Sequence, residues 1–274
     1  MQRSQLRHIV DLRTNPGVSA ILLQVYKKIR RPILATEMSL KERIRSGEIV
    51  VGVATSLDTD QSTLEKILNK DTYSFITIDS QHSPYNEEKL VLFCRMCEEL
   101  GLPVQFRIKN TRHAYLIGNI LDLGPLGIEV PLVEQESVVD EALDVFYYPQ
   151  VGHRSWGGAA RYGISGREDR LEYSEWWNAN GILCLQMETL RGVDNARKLA
   201  KKGVDCLTWG PADLSFDMEA HGQHPLQSVD DCLRNVLHQL EGTDIRISFR
   251  NVTPDQRQKY IDMGITVFME RPQI

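Results

Sequence analysis

Residues 182–211 read ILCLQMETLRGVDNARKLAKKGVDCLTWGP, and this stretch decides the fold class. An apolar run of strand length, 182–188, is followed by an amphipathic segment, 193–203, and then by a second apolar run, 206–210. The amphipathic segment ends in Gly203, and glycine is a common residue at the end of a helix. Strand, helix and strand in succession predict two parallel strands joined by a right-handed crossover.

The same unit repeats along the chain. We predict eight strands, at residues 50–56, 74–80, 104–109, 127–133, 182–188, 206–210, 245–249 and 266–269. Amphipathic segments with the helical period lie at 86–101, 114–124, 137–146, 193–203, 229–242 and 254–264. Eight strands alternating with helices predict a closed (β/α)₈ TIM barrel, and 274 residues suit one such domain. The alternative, a doubly wound open sheet, lacks a GxGxxG after its first strand.

Two regions depart from this rhythm. Residues 1–37 precede the first strand and predict an N-terminal helical extension, which leaves 38–274 as the barrel domain. Residues 150–180 form a long connection, which we expect to follow strand four on the catalytic face. Few residues follow strand eight. We therefore expect the usual last helix to be absent and its place to be covered by the extension or by a second subunit in a homo-oligomer.

Composition narrows the class of protein. A formal net charge of −5 argues against nucleic acid or an anionic membrane as the main partner. The chain has neither a run of ~20 apolar residues nor a secretory signal, so we expect a cytoplasmic protein. Five cysteines do not form a disulfide framework. Cys94 and Cys97 form a CxxC inside a helical segment, where buried thiols are favoured over a redox pair or half a zinc site.

Reactive side chains cluster at the carboxyl ends of predicted strands. The second strand ends in the segment from Asp79 to His82, and Arg107 lies in the third. The fifth strand ends in Glu188, and the sixth runs into Asp213. In this fold these ends share one rim, where the chemistry takes place. The two carboxylates on adjacent strands suit Mg²⁺ or Mn²⁺, although solvated carboxylates are an equal alternative. The histidine either transfers protons or only satisfies a backbone group in a turn. The arginine either binds an anionic ligand or forms a salt bridge.

Five strings, in chain order, resemble signatures of the HpcH/HpaI family of metal-dependent pyruvate aldolases. FITIDSQHSP at 75–84 resembles D-x-E-H-x-P, and LDLG at 121–124 with VPLV at 130–133 is similar to L-D-x-G…V-P-M-V. The loop with YP at 148–149, GHR at 152–154 and ARYG at 160–163 resembles Y-P-P-x-G-x-R-G…A-R-Y-G. LQMET at 185–189 looks like Q-I-E-T, and GPADLS at 210–215 matches G-P-x-D-L-S. The likeness runs from about residue 40 to residue 268.

The resemblance implies a role for each matching residue. Glu188 and Asp213 would bind the metal, which would be Mg²⁺ or Mn²⁺, with Co²⁺ possible. His82 would be the base, oriented by Asp122, and Arg107 would stabilise the enolate of pyruvate. The remaining residues would hold the substrate's carboxylate (Gln186 and the backbone of Gly210, Pro211, Ala212 and Asp213), support the metal shell (Asp79 and Gln81) or contact the acceptor (Arg154 and Trp156).

The sequence also departs from the family pattern. Gln81 replaces the acid of the first signature, and Trp156 lies where a small residue is usual. We therefore expect a metal-dependent carbon–carbon lyase that cleaves a 4-hydroxy-2-oxo acid to pyruvate and an aldehyde. The sequence does not specify which aldehyde is the acceptor. One alternative is a biosynthetic relative that uses the same enolate, in oxaloacetate decarboxylation and cyclisation or in a citrate-type synthesis. The other is a non-catalytic barrel subunit, against which the retained site residues argue.

Overall fold

Eight parallel strands close into a barrel in chain order in the computed structural model, which describes residues 38–272. The strands are β1 (Val50–Thr55), β2 (Phe75–Asp79), β3 (Val104–Arg107), β4 (Gly127–Val130), β5 (Ile182–Met187), β6 (Cys206–Trp209), β7 (Arg246–Val252) and β8 (Val267–Glu270). Each predicted strand is present, and the predicted TIM barrel is confirmed. Strand seven is longer than predicted and includes Arg250, with an irregularity in its pairing to β8.

Helices surround the barrel. They are α1 (Leu40–Ser46), α2 (Gln61–Leu68), α3 (Glu87–Glu99), α4 (Ile117–Leu121), α5 (Glu136–Phe146), α6 (Arg170–Asn180), α7 (Leu190–Asp194), α8 (Ala196–Leu199), α9 (Pro211–Ala220), α10 (Val229–Gln239) and α11 (Arg257–Asp262), with a 3₁₀ helix at Thr111–Leu116 before α4. The single helix predicted at 193–203 is wrong. The helix is interrupted at Asn195, whose side-chain amide donates to the Glu134 carbonyl at 3.1 Å. Across residues 38–272 no helix is long and apolar enough to cross a membrane.

The barrel interior carries buried polar side chains. Gln105 Nε2 donates to Glu129 Oε2 at 3.2 Å, and the hydroxyls of Thr208 and Ser248 lie 2.8 Å apart. All four residues are buried. Their strand neighbours, such as Phe106, point outward under the helices, since side chains alternate along a strand.

The amino-terminal end of the barrel is closed by α1. Ser39 caps this helix in a capping box with Glu42. The Lys41 ammonium is buried and donates to the Tyr147 hydroxyl at 2.8 Å, the Gly181 carbonyl at 2.6 Å and Asp205 Oδ2 at 3.1 Å. This helix therefore belongs to the barrel. The predicted extension at residues 1–37, and the cover it was expected to provide, lie outside the described residues.

The long connection predicted on the catalytic face lies elsewhere. It follows α5, not β4, because the five residues after β4 lead directly into that helix. A helix in a βα unit returns the chain to the amino-terminal ends of the strands. The contacts agree with this position: Gly163 donates its N–H to Glu98 near the end of α3, and His153 N–H donates to the Asp144 carbonyl near the end of α5. The placement predicted from sequence was therefore wrong.

Candidate active site

Two charged residues on neighbouring strands meet at the carboxyl-terminal rim. Asp79 ends β2 and pairs in register with Arg107, which ends β3. Arg107 Nε donates to Asp79 Oδ1 at 2.8 Å, and Nη2 donates to Oδ2 at 2.6 Å. Burial raises the pKa of Asp79. The hydrogen bonds and charge of Arg107, with a smaller contribution from Arg250, lower it by more, so the pKa lies below its usual range.

Strand β5 adds an amide to the same cluster. Arg107 Nη1 donates to Gln186 Oε1 at 3.0 Å, and both side chains are buried. Gly210 follows the next strand, and a Cβ there would lie 3.0 Å from Gln186 Nε2 and 3.1 Å from Glu188 Oε2. The absence of a side chain at Gly210 therefore leaves space beside these two polar atoms.

Glu188 has one satisfied and one unsatisfied carboxylate oxygen. Its Oε1 accepts the Leu132 N–H at 2.8 Å, and Leu132 has the left-handed φ of 49°, which is uncommon for a non-glycine residue. Its Oε2 is buried without a hydrogen-bond partner. Burial first, and then the negative charge of Asp213, raise the pKa of Glu188 to about 7. Such an oxygen calls for a cation or a donor from a ligand.

Asp213 supplies the second carboxylate. It lies in the first turn of α9, which Pro211 starts at a position suited to proline, and its side chain is exposed. Within the described part of the chain, no group of three or more His, Cys, Asp or Glu side chains could hold a metal. The oxygen donors of Glu188 and Asp213 fit a hard divalent ion that takes its remaining ligands from water and substrate.

His82 lies in the loop after β2 and is exposed to solvent. The turn that carries it is held by the Gln81 N–H, which donates to Asp79 Oδ1 at 2.9 Å. The Gln81 Oε1 atom is buried without a partner. The imidazole lies three residues after Asp79 in the chain and is open to solvent at the end of the barrel where β2 ends.

Asp122 does not lie beside His82 within one chain. It caps the end of α4, and the chain then runs through four residues into β4, so Asp122 lies at the amino-terminal end of the barrel. Its Oδ1 accepts from Arg154 Nη2 at 2.8 Å, and burial raises its pKa more than Arg154 lowers it. The expectation that Asp122 orients His82 is therefore wrong for residues of the same chain.

Arg154 and Trp156 were expected to read the acceptor, and the structure corrects this. The Arg154 side chain has 0% exposure, pairs with Asp122, and lies 4.8 Å and 4.3 Å from the ring centres of Tyr148 and Trp177. The guanidinium of Arg161 lies 3.9 Å from the Trp156 ring. Both side chains brace the long loop, at the end of the barrel opposite the rim.

Two interior residues were missed by the sequence reasoning. Glu129 in β4 is fully buried, and Arg250 in β7 lies with its Nε 3.0 Å from Glu129 Oε1. The available signal was a single charge within an apolar strand, the same signal that singled out Arg107. Arg250 lay outside the predicted strand seven, and Glu129 was not singled out within the predicted strand four.

A closed parallel barrel with paired charges and a buried, unsatisfied carboxylate oxygen at its carboxyl-terminal rim is the arrangement of a barrel enzyme. The model of the HpcH/HpaI aldolase/citrate lyase family matches residues 58–267. The chain belongs to this family, and it is a carbon–carbon lyase of the aldolase type.

Individual relatives agree with this assignment. A hydroxypyruvate/pyruvate aldolase of Paraburkholderia phytofirmans is 29% identical over 204 residues, which cover 72% of this chain and 77% of the relative. A 2-keto-3-deoxy-L-rhamnonate aldolase of Escherichia coli is 26% identical over 231 residues, or 82% of this chain and 83% of the relative. The crystal structure of an HpcH/HpaI aldolase from Desulfitobacterium hafniense has the same fold, with a TM-score of 0.73 at 22% identity, over 86% of this chain and 91% of that one.

Proposed function

We propose that the protein cleaves 4-hydroxy-2-oxo acids to pyruvate and an aldehyde, with a divalent metal held by Glu188 and Asp213. The observation that carries the proposal is the buried Glu188 Oε2, which has no hydrogen-bond partner. The negative charge of Asp213 is near enough to raise the pKa of this carboxyl. Bound there, Mg²⁺ or Mn²⁺ would polarise the 2-oxo group of the substrate as a Lewis acid.

The formal charge of the rim and barrel interior also favours a dication. Four carboxylates lie there, those of Asp79, Glu129, Glu188 and Asp213, against the guanidinium groups of Arg107 and Arg250. When all are ionised, four negative and two positive charges leave two negative charges. The unbalanced charge is costly at Glu129 and Glu188, which are buried, and one divalent ion removes it.

Arg107 is suited to stabilise the enolate oxygen. It has five N–H donors, of which Asp79 uses two and Gln186 one, so two remain for a ligand. The two contacts fix the guanidinium plane before substrate arrives. A positive group that is fixed in advance where negative charge develops lowers the activation barrier. Each such donor typically raises the rate by about 10²–10³-fold.

The proton transfers are assigned to His82. In the cleavage direction the 4-hydroxyl loses its proton to the imidazole, the C3–C4 bond breaks, and its electron pair enters the enolate as the aldehyde leaves. A proton added to C3 then gives pyruvate, so atoms and charge balance. The support for this assignment is that the imidazole is exposed, in the loop that follows β2 at the carboxyl-terminal end of the barrel.

A panel of metal-supplemented assays tests this function. The protein is incubated with 4-hydroxy-2-oxo acids, with oxaloacetate, and with pyruvate plus aldehydes, and the products are followed by ¹H NMR. We expect pyruvate and an aldehyde from at least one hydroxy-oxo acid. Decarboxylation of oxaloacetate or condensation with a keto acid, without any aldol cleavage, would replace this function by the biosynthetic alternative.

We further infer that the chain acts as a homo-oligomer. Val151 and Leu171 are each 66% exposed. Hydrogen bonds from Gln150 Nε2 to Ser174 Oγ at 2.6 Å and from Ser174 Oγ to the Leu171 carbonyl at 2.9 Å join the two segments that carry them, and neighbouring exposed apolar groups indicate an interaction surface. Replacing both by glutamate should lower the mass measured by light scattering. The same replacement of Leu92, 64% exposed on α3, is the control and should leave the mass unchanged. A double variant with unaltered mass contradicts the inference.

We also propose a cytoplasmic location. All five cysteines are buried free thiols, including Cys184 and Cys206, which face each other on β5 and β6. Neighbouring thiols that stay unpaired fit a reducing compartment. A fusion to a fluorescent reporter found outside the cytoplasm would contradict this.

A further inference from the structure

Glu129 lies fully buried inside the barrel, surrounded by donors. Its Oε2 accepts from Gln105 Nε2 at 3.2 Å and from the Thr208 hydroxyl at 3.4 Å. Its Oε1 lies 3.0 Å from Arg250 Nε and 2.8 Å from Arg250 Nη2. β4 and β7 are not neighbours in the barrel, so the pair spans the interior below the rim. The proposed reaction uses neither residue.

The same carboxylate oxygen also faces Arg107. Arg107 Nε lies 3.9 Å from Glu129 Oε1, although its hydrogen bond goes to Asp79. The two arginines therefore flank one oxygen of Glu129, with Arg250 closer. Arg107 lies between the carboxylates of Asp79 and Glu129, and Arg250 neutralises that of Glu129.

Removing Arg250 would leave the charge of Glu129 without its nearest cation. A buried carboxylate without a cation is strongly unfavourable, so Glu129 would seek the nearest positive charge. Within the described residues that charge is Arg107, 3.9 Å away. A shift of Arg107 toward Glu129 would break the paired hydrogen bonds to Asp79 and turn the guanidinium away from the rim.

We propose that Arg250 is a positioning residue for Arg107: by neutralising Glu129 it keeps Arg107 on Asp79 and Gln186, directed at the substrate. The assay below rests on the proposed function, because it measures enolisation of pyruvate. Two other roles compete with this one. Arg250 could contact the substrate itself, or the pair could serve stability alone.

A double-mutant cycle separates these roles. The variants are Arg250→Met, Glu129→Gln and the combination, and the readout is the metal-dependent exchange of pyruvate methyl protons for deuterium in D₂O, with kcat and the pyruvate KM taken separately. We expect Arg250→Met to lower kcat by about 10²-fold with a smaller change in KM, since a misplaced group can cost that much. Adding Glu129→Gln should restore most of the rate, because the competing charge is gone.

The control is Arg257→Met, which breaks another pair of arginine with a buried glutamate. Arg257 Nε lies 2.7 Å from Glu270 Oε1. Glu270 is fully buried, but the pair lies outside the barrel interior. This variant should melt at a lower temperature yet keep its exchange rate below the melting transition. Wild-type kcat in Arg250→Met overturns the positioning role, and so does a double variant that remains as slow as Arg250→Met.

A crystal structure of Arg250→Met tests the proposal without relying on the reaction. We expect the Arg107 guanidinium to bind Glu129 and to release Asp79. If Arg107 still holds Asp79 with both hydrogen bonds, the proposal is wrong, whatever the activity. If the wild-type protein shows no exchange of pyruvate protons, the proposed function fails, and this structure alone decides the role of Arg250. Should Arg250→Met not fold, Arg250→Gln, which also removes the cation, is compared with its own combination with Glu129→Gln, and the same two outcomes decide.

Discussion

Arg107 and Asp79 form a two-point contact, with Nε and Nη2 of the guanidinium on the two oxygens of one carboxylate at 2.8 and 2.6 Å. The contact joins the ends of two adjacent strands, so the backbone of the barrel itself sets its geometry. A paired contact of this kind fixes the plane of the guanidinium as well as its position. The remaining donors of Arg107 consequently have a defined direction before any ligand binds.

The Asp79–Arg107 contact predicts the effect of Asp79→Asn. The amide keeps one acceptor oxygen but loses the second and the charge, so Arg107 is held less firmly. We expect kcat to fall by about 10-fold or more, because loss of orientation at a reacting group is costly. Asp140→Asn, which breaks an exposed pair with Lys201, is the control and should change neither kcat nor stability by much. Equal activity of the two variants would show that Arg107 needs no fixing by Asp79.

The raised pKa of Glu188 predicts a pH-dependent stability of the metal-free protein. An acid whose pKa is raised from 4.5 to about 7 on folding binds more protons in the folded state. The free energy of unfolding should therefore fall as the pH rises from about 4.5 to about 7, by on the order of 3 kcal/mol, and then level off. Urea unfolding in the presence of a chelator measures it.

Glu188→Gln provides the comparison for that measurement. Its amide oxygen can still accept the Leu132 N–H, but the buried charge is gone. We expect the variant to be more stable than the wild type at pH 8 without metal and to lose the fall between pH 4.5 and 7. A wild type whose stability does not change over that range would contradict the burial of an ionised Glu188.

His82 should matter for turnover far more than for binding. His82→Ala removes the proposed base, and such losses typically lower kcat by ~10²–10⁴-fold. The affinity for pyruvate should change little, because Arg107 and Gln186 are untouched. His238→Ala, an exposed histidine on α10, is the matched control. Unchanged turnover in His82→Ala would assign the proton transfer to another group.

Arg154 should matter for stability and not for the choice of acceptor. Arg154→Ala leaves Asp122 without its partner and removes a cation stacked on two aromatic rings. We expect the free energy of unfolding to fall by ~3–5 kcal/mol, the usual cost of breaking a buried pair. The relative KM values for acidic and neutral acceptors should be unaffected. A selective loss for acidic acceptors would restore the role inferred from the sequence.

The strands were predictable because each is an apolar run bounded by turn residues, and burial on both faces leaves little alternative. Helix α9 was not, since its apolar residues do not lie on one face. The segment 193–203 was interpreted as one helix because its apolar spacing continues through the break. That break is made by a contact from Asn195 to Glu134, which is remote in sequence.

For the site, rim residues could be predicted because carboxyl ends of parallel strands always meet. Arg107, Gln186 and Glu188 come together as that rule requires. Asp122 was misplaced because motif likeness carries no information on which end of the barrel a residue occupies. The Glu129–Arg250 pair could not be found, because it joins β4 and β7, which are three places apart around the barrel and do not pair with each other.

The measurement that tests the central claim most directly is deuterium exchange into the methyl group of pyruvate, followed by ¹H NMR with Mg²⁺ or Mn²⁺ and with a chelator. We predict exchange that requires the metal, is lost in Asp213→Asn, and persists in Glu219→Gln, an exposed acid on the same helix α9. Asp213→Asn removes a hard anionic ligand, whereas Glu219 contributes none. Exchange that continues at the wild-type rate after exhaustive chelation, or in Asp213→Asn, would contradict the metal–enolate account.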